Sequence, residues 1–108
     1  MGTYYLAIGS VEFVEDTPVS AMEGVEQLFS NQKDIFNVHF DREGCAIDFQ
    51  MEGTNGVDYD PLDELLPQIR AITNEFAIQT TEFACAEEGY FFDNTDEECL
   101  EQWGFPNK

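Results

Sequence analysis

Side chains that can bind cations or transfer protons are abundant in this chain, and almost all of them are carboxylates. They are dense in Asp58-Tyr59-Asp60 and in the run from Asp93 to Glu98, and both segments offer the hard oxygen ligands that calcium prefers. Neither segment has the D-x-[DN]-x-[DN]-G-x5-E spacing of an EF-hand loop. We therefore expect adventitious cation binding, with no structural metal and no cofactor.

Catalytic groups other than carboxylates are few. His39 is the only histidine, and the pattern around it places it on the polar face of a strand, near Asp48 and Gln50. No glycine-framed serine or cysteine nucleophile accompanies it. Paired carboxylates work as glycosidase acids only where a cleft gives the two groups different environments, and a chain of 108 residues has little room for a cleft. The sequence therefore predicts that the protein is not an enzyme.

The cysteines and the apolar runs indicate a compartment. Cys45, Cys85 and Cys99 are odd in number and form no CxxC pair, which is typical of reduced, mostly buried thiols. No apolar run approaches the roughly 18 residues of a membrane span, and the first residues lack the basic region of a signal peptide. We expect a cytoplasmic protein without a membrane partner.

The charge of the chain indicates its kind of partner. Its 23 Asp and Glu face 4 Lys and Arg, a formal net charge of −19. Because like charges destabilise a compact state, such an excess favours a strongly basic partner. The 10 Phe and 14% aromatic content are atypical of a disordered acidic tail, so we expect one folded domain with a core over 3–86 and an extension over 87–108.

Hydrophobic periodicity predicts an α+β domain. The expected elements, in chain order, are a strand over 4–14, a helix from Pro18, a hairpin of strands 35–40 and 45–51, a helix over 60–72, a strand over 76–86, a short strand over 90–92 and a short helix that follows the capping-box pattern Thr95-Asp96-Glu97-Glu98.

Three local irregularities are also predicted. Gly9-Ser10 indicates a bulge in the first strand, and the change of apolar parity near Thr80-Thr81 indicates another in the fourth. Pro67 lacks an N–H and clashes with the preceding turn, so we expect the second helix to kink or restart there.

The order β-α-β-β-α-β is the ferredoxin-like split arrangement, with an antiparallel sheet and a C-terminal strand and helix extension. The Tyr4-Tyr5 strand, Asp58-Tyr59-Asp60 and the strand from Glu82 to Gly89 resemble small ferredoxin-like proteins of phages and mobile elements. The resemblance assigns no residue roles. In this arrangement we expect the first and third strands to be parallel neighbours and the fourth to be antiparallel to the first.

That topology predicts one acidic edge, where the first and third strands end and the fourth begins. We expect this edge to bind the partner through Glu12, Glu15, Asp16, Glu52, Asp58, Asp60, Asp63, Glu64 and Glu75. Lys33 and Arg42 are expected at the far end. A second partner-binding group is expected along the extension, formed by Glu87, Glu88, Asp93, Asp96, Glu97, Glu98 and Glu101.

Clustered carboxylates match the charge of nucleic acid better than evenly spread ones do. Spread over about 6,000 Å² of surface, the acids would be about two- to threefold sparser than the phosphates of B-DNA. Gathered on one side, they would match it. In composition and size the chain resembles the DNA-mimic inhibitors that phages use against CRISPR and restriction systems.

The resemblance implies an inhibitor that occupies the basic channel of a nuclease or CRISPR effector and does not itself bind nucleic acid. It would act in the host cytoplasm if the chain is phage-encoded, as a monomer or a small homo-oligomer. One alternative is an immunity protein against a nuclease toxin, with Tyr59, Tyr90, Phe91 and Trp103 as candidate apolar anchors. Another is a salt-adapted domain, in which the acidity reflects the solvent and mimics nothing.

Overall fold

The computed structural model describes residues 4–83 and 87–105, and the statements below concern these residues. They form an α+β domain with a five-stranded antiparallel sheet and three helices. The elements are β1 (Tyr4–Phe13), α1 (Val19–Ser30), β2 (Phe36–Asp41), β3 (Ala46–Thr54), α2 (Asp60–Ile72), β4 (Phe76–Glu82), β5 (Glu87–Asp93) and α3 (Glu97–Trp103). The fourth strand was predicted to reach residue 86, but it ends at Glu82, and Phe83 lies in a turn. Residues 84–86, which include Cys85, and Lys108 lie outside the described residues.

The strand order is β2-β3-β1-β4-β5. With β5 at one edge, this order differs from that of a four-stranded ferredoxin-like sheet, so the predicted ferredoxin-like arrangement is not confirmed. The expectation that the first and third strands are parallel is wrong: β1 and β3 are neighbours, but they run antiparallel, with Leu6 opposite Glu52 and Glu12 opposite Ala46. The reason is the tight β2–β3 hairpin, because it reverses the chain after α1 has returned β2 to the direction of β1.

One face of the sheet forms the core. Alternate β1 residues, among them Ala7 and Val11, are fully buried on this face with Phe49 of β3 and Ile78 of β4. The helices α1 and α2 contact each other, and their apolar stripes are buried in the same core. The helix α3 joins them through Trp103, whose ring contacts Tyr90 and Phe92 of β5.

The other face carries no helix among the described residues, and we call it the open sheet face. The register aligns one row of partners across all five strands: His39, Asp48, Ser10, Gln79 and Phe91. Alternation and pairing place the following residues on the open sheet face: Tyr4, Leu6, Ile8, Ser10, Glu12, Phe36, His39, Asp41, Ala46, Asp48, Gln50, Glu52, Thr54, Ala77, Gln79, Thr81, Glu88, Phe91 and Asp93.

Of the two predicted bulges, one is present. The β4–β5 register shifts between Thr80 and Thr81, as expected. The register of β1 is continuous through Gly9 and Ser10 on both sides, so no bulge interrupts it. Gly9 has a packing role instead, because a Cβ there would clash with the ring of Phe49. The predicted bulge at Gly9-Ser10 is therefore wrong.

The second helix does not restart at Pro67. It runs without a break from Asp60 to Ile72 with Pro67 inside. Four buried side chains on one stripe, Leu62, Leu65, Leu66 and Ile69, hold both halves on the same core. This burial outweighs the backbone hydrogen bond that the proline removes.

The C-terminal extension is held by a buried asparagine. The side chain of Asn94 accepts a hydrogen bond from Arg70 Nε (2.8 Å) and donates one to the carbonyl oxygen of Asn74 (2.7 Å). Its backbone N–H donates to the carbonyl oxygen of Phe76. The guanidinium of Arg70 also lies over the Phe105 ring, 4.2 Å from its centroid. One of the four basic residues is therefore used to fix the extension.

Candidate functional site

The predicted acidic edge is divided between the two ends of the sheet. Because β3 is antiparallel to β1, the end of β3 meets the start of β1, whereas the end of β1 meets the start of β4. We call the two ends the Glu75 end, where β1 and β5 finish and β4 begins, and the Glu52 end, where β3 and β4 finish and β1 and β5 begin. A single contiguous edge of nine carboxylates, as predicted, does not exist.

At the Glu75 end, acids from the ends of β1 and β5 meet the acid that immediately precedes β4. Glu12, Glu75 and Asp93 line a shallow cavity of about 200 Å³, together with Thr95. Glu75 and Asp16 line a second cavity of about 350 Å³ against the end of α2. The exposed Glu15 precedes Asp16 in the same loop. Four residues of the predicted edge are therefore neighbours here, joined by Asp93 from the predicted second group.

At the Glu52 end lie the other five residues of the predicted edge. Glu52 accepts a hydrogen bond from the hydroxyl of Tyr4 (2.7 Å), and this bond raises the pKa of the tyrosine. Asp58 accepts from the backbone N–H of Asp60 (3.0 Å) at the start of α2. The remaining two, Asp63 and Glu64, lie in the first turns of α2.

Asp63 has a second role at this end. It accepts a hydrogen bond from the hydroxyl of Tyr90 (2.9 Å). Burial, together with this carboxylate, raises the pKa of Tyr90 well above its usual value. Asp63 therefore helps to hold β5 against α2, and we assign it a structural contact in addition to its place in the acidic surface.

The second predicted group is also divided. Glu88 is opposite Thr81 at the Glu52 end, whereas Asp93 is opposite Ala77 at the Glu75 end. Glu87 is described by its backbone alone, at the start of β5. The acids of α3, Glu97, Glu98 and Glu101, are exposed on the helical side of the domain.

Two of these acids shape the turn before α3. Asp96 is the N-cap, and its side chain accepts from the backbone N–H of Glu98 (3.0 Å). The sequence pattern predicted Thr95 as the cap. Thr95 instead donates both its backbone N–H (2.9 Å) and its hydroxyl (2.7 Å) to Asp93 Oδ1.

A coherent set of carboxylates lies on the open sheet face. It consists of Glu12, Asp41, Asp48, Glu52, Glu88 and Asp93. Five strands spaced by about 4.8 Å, each about eight residues long, cover roughly 650 Å², which is about one carboxylate per 110 Å² for these six acids. B-DNA treated as a cylinder carries about one phosphate per 100 Å². The open sheet face therefore approaches the charge density of a duplex.

Positive charge lies mainly off this face. Arg70 is half-buried against Asn94, and Arg42 forms an exposed ion pair with Glu23 (3.7 Å), the one ion pair found within residues 4–83 and 87–105. The expected location of Lys33 and Arg42 together at one far end is wrong. Lys33 lies at the Glu52 end, where it lines a cavity of about 400 Å³ with Tyr4 and Glu52. Arg42 lies in the β2–β3 turn at the opposite end.

Three of the four candidate anchors are packed in the domain. Tyr90 is buried, Trp103 packs on Tyr90 and Phe92, and Tyr59 packs against the ring of Tyr90. Phe91, in contrast, is 44% exposed in the middle of β5 and points away from the core. Among these four, Phe91 alone has an exposed side chain.

Sequence reasoning missed three residues of this surface. Asp48 was recognised as outward-facing but not grouped with the acids. Tyr4 and Ile8, 59% and 36% exposed, were not recognised as part of an open face. The signal was present in the strict alternation of β1 and β3, but using it required knowing that all the helices cover the same side.

Other site types are not visible in the described part of the chain. Within it, no three His, Cys, Asp or Glu side chains are grouped closely enough to hold a metal ion. Cys45 is half-buried and Cys99 is buried, and both are free thiols. In the same residues, no helix has the length and apolar character to cross a bilayer.

The comparisons with known proteins give no family. No protein-family model matches this sequence, and no curated protein or solved structure matches it either. The arrangement of the described residues is therefore the basis for a functional interpretation.

Proposed function

We propose that this chain is an acidic protein inhibitor that mimics nucleic acid and blocks the basic DNA- or RNA-binding channel of a nuclease or of a CRISPR or restriction effector. The observation that carries the proposal is the open sheet face, where six carboxylates lie at nearly duplex charge density. Such a surface repels nucleic acid and attracts a channel lined with Lys and Arg.

The inhibitor acts by occupancy, with no chemical step. Its charge steers it to the channel, and the carboxylates displace the counterions that the channel otherwise holds. The acids of the Glu75 end, around Glu12 and Asp93, extend the surface beyond the sheet. The site of action is the cytoplasm, that of the host cell if a phage encodes the chain.

A ferredoxin-like arrangement of part of the sheet is included in the same proposal. The strands β1 to β4 with α1 and α2 would be a ferredoxin-like unit, and β5 with α3 an addition at its edge. The addition matters to the function because it contributes Glu88, Phe91 and Asp93 to the open sheet face.

The test is affinity capture on the immobilised chain from a lysate of the host cell, with mass spectrometry of the eluate. We expect a nucleic-acid-binding protein or complex that leaves the column at moderate salt and is released by duplex DNA or RNA. Screening of charge contacts by salt is the reason for the first expectation. The proposal would be contradicted by retained proteins that neither salt nor nucleic acid releases, or by an unselective mixture of basic proteins.

An immunity protein against a nuclease toxin is the second candidate, favoured by the exposed ring of Phe91. An anchored complex of that kind would survive high salt, because an apolar contact in a desolvated pocket is not screened. Trp103→Ala does not test it, since Trp103 packs within the domain and its loss would loosen α3. Phe91→Ala is the informative variant: it should nearly abolish an anchored complex but leave most of the binding of a charge mimic.

A further inference from the structure

The open sheet face is not uniform. On its β3–β1 side, the ring of Tyr4 and the carboxylate of Glu52 share a cavity with Lys33. A cation that approaches Tyr4 therefore meets a positive charge at the same place. On the β4–β5 side, the register places Phe91 and Glu88 on the open sheet face, and no described Lys or Arg is on this face there.

The β5 side combines an aromatic ring with carboxylates. Phe91 is 44% exposed, Asp93 is two residues along the same strand and so about 7 Å away, and Glu88 follows on the same face across the bulge. Glu12 of β1 is the remaining acid nearby. It lies in the same row as Asp93, because both residues are opposite Ala77 of the intervening strand β4. An aromatic face beside carboxylates matches a guanidinium, which stacks on rings and binds carboxylates with a planar fork.

We infer that the β5 side of the open sheet face docks arginine, with a guanidinium stacked on Phe91 and paired with Glu88 or Asp93, so that the partner surface is arginine-bearing. Lysine satisfies the charge but not the geometry, because its ammonium is a compact point charge without a planar face. This inference rests on the proposed function, which makes the partner basic, and it specifies the chemistry of that partner.

The test uses two short peptides, hexa-arginine and hexa-lysine with blocked ends, titrated into the ¹⁵N-labelled full chain at 0.15 M NaCl. We expect the arginine peptide to bind up to about fivefold more tightly, because a guanidinium can stack flat on the ring and pair with a carboxylate at once, which an ammonium cannot do. The largest amide shifts should lie in Glu88, Phe91 and their β4 partners. Equal affinity for the two peptides, or shifts confined to α1 and α2, would overturn the inference.

Matched variants separate the two sides of the face. Phe91→Leu keeps an apolar side chain on an exposed strand position and should reduce the arginine preference to less than twofold, with hexa-lysine affinity unchanged. Tyr4→Leu is the control: it removes an even more exposed ring that lies beside Lys33, and it should leave the preference intact. Glu88→Gln and Glu52→Gln change the net charge equally, and the first should weaken arginine binding more than the second. If the two leucine variants behave alike, the location on β5 is wrong.

Failure of this inference and failure of the proposed function give different results. The peptide titration does not involve the natural partner, so it can show no arginine preference while capture still yields a protein that duplex DNA releases. Conversely, a clear preference at Phe91 with a captured partner that does not bind nucleic acid would leave the arginine site standing and remove the mimicry.

Discussion

Asn94 is the residue whose loss should destabilise the domain most directly without removing any apolar contact. It is 7% exposed, and its side chain makes two hydrogen bonds, one from Arg70 and one to the carbonyl oxygen of Asn74. Asn94→Ala removes both and leaves a guanidinium N–H and a backbone carbonyl without these partners. A bond to a charged group contributes about 1.5–3 kcal/mol and a neutral one about 0.5–1.5 kcal/mol, so the expected loss of unfolding free energy is about 2–4 kcal/mol.

The assay is urea unfolding followed by circular dichroism at constant salt, because urea does not change the screening of the many carboxylates. Gln102→Ala is the matched control, since Gln102 is exposed on α3 in the same extension and should change stability by less than about 0.5 kcal/mol. A double-mutant cycle with Arg70→Ala should give a coupling energy of at least about 1 kcal/mol. A loss below about 0.5 kcal/mol for Asn94→Ala would refute the assigned role of this residue.

Three further predictions concern the Tyr90–Asp63 hydrogen bond, the close packing of β1 at Gly9 and the net charge. Because the pKa of Tyr90 is raised in the folded state, the hydroxyl loses its proton at lower pH in the unfolded chain, so stability should fall as pH rises above about 10. In thermal melts, the Tm of Tyr90→Phe should fall less between pH 9 and 11 than the Tm of the unsubstituted chain. Equal falls in Tm would contradict the Tyr90–Asp63 contact. Gly9→Ala should destabilise by about 1–3 kcal/mol in urea titrations, because its Cβ would overlap the ring of Phe49, and a neutral result would mean that the ring moves freely. Raising NaCl from about 0.1 M to 1 M shortens the Debye length from about 10 Å to about 3 Å, which screens the repulsion between the carboxylates. The Tm should therefore rise by about 5 °C for each 1 kcal/mol of repulsion removed. A chain that is unfolded at 0.1 M and folds only in molar salt would favour the salt-adapted alternative.

The secondary structure was accessible from the sequence because each element has a strong local signal. The alternation in β1 and β3 and the 3.6-residue stripe of α2 are both regular, and the elements they predict are present. The interruption at Pro67 was overestimated, since propensity says nothing of the tertiary burial that keeps Leu66 and Ile69 in one helix.

The candidate site depended on relations that no local pattern contains. Whether β3 runs parallel or antiparallel to β1 decides whether Glu52 lies beside Glu12 or at the other end of the sheet, and the sequence does not encode that direction at either residue. The roles of Arg70 and Asn94 were hidden for a similar reason. They are 24 residues apart in the sequence, and the docking of the extension brings Arg70 Nε to 2.8 Å from Asn94 Oδ1.

The central claim is that this chain and nucleic acid compete for one basic surface. The most direct measurement adds the chain to the purified captured partner loaded with a fluorescent duplex and follows the anisotropy of the duplex at several salt concentrations. We predict that the chain releases the duplex fully and that its apparent affinity falls as the duplex concentration is raised. We also predict that the affinity of the chain for the partner weakens steeply as salt increases. A ternary complex, in which the duplex stays bound while the chain binds the same partner, would contradict the account.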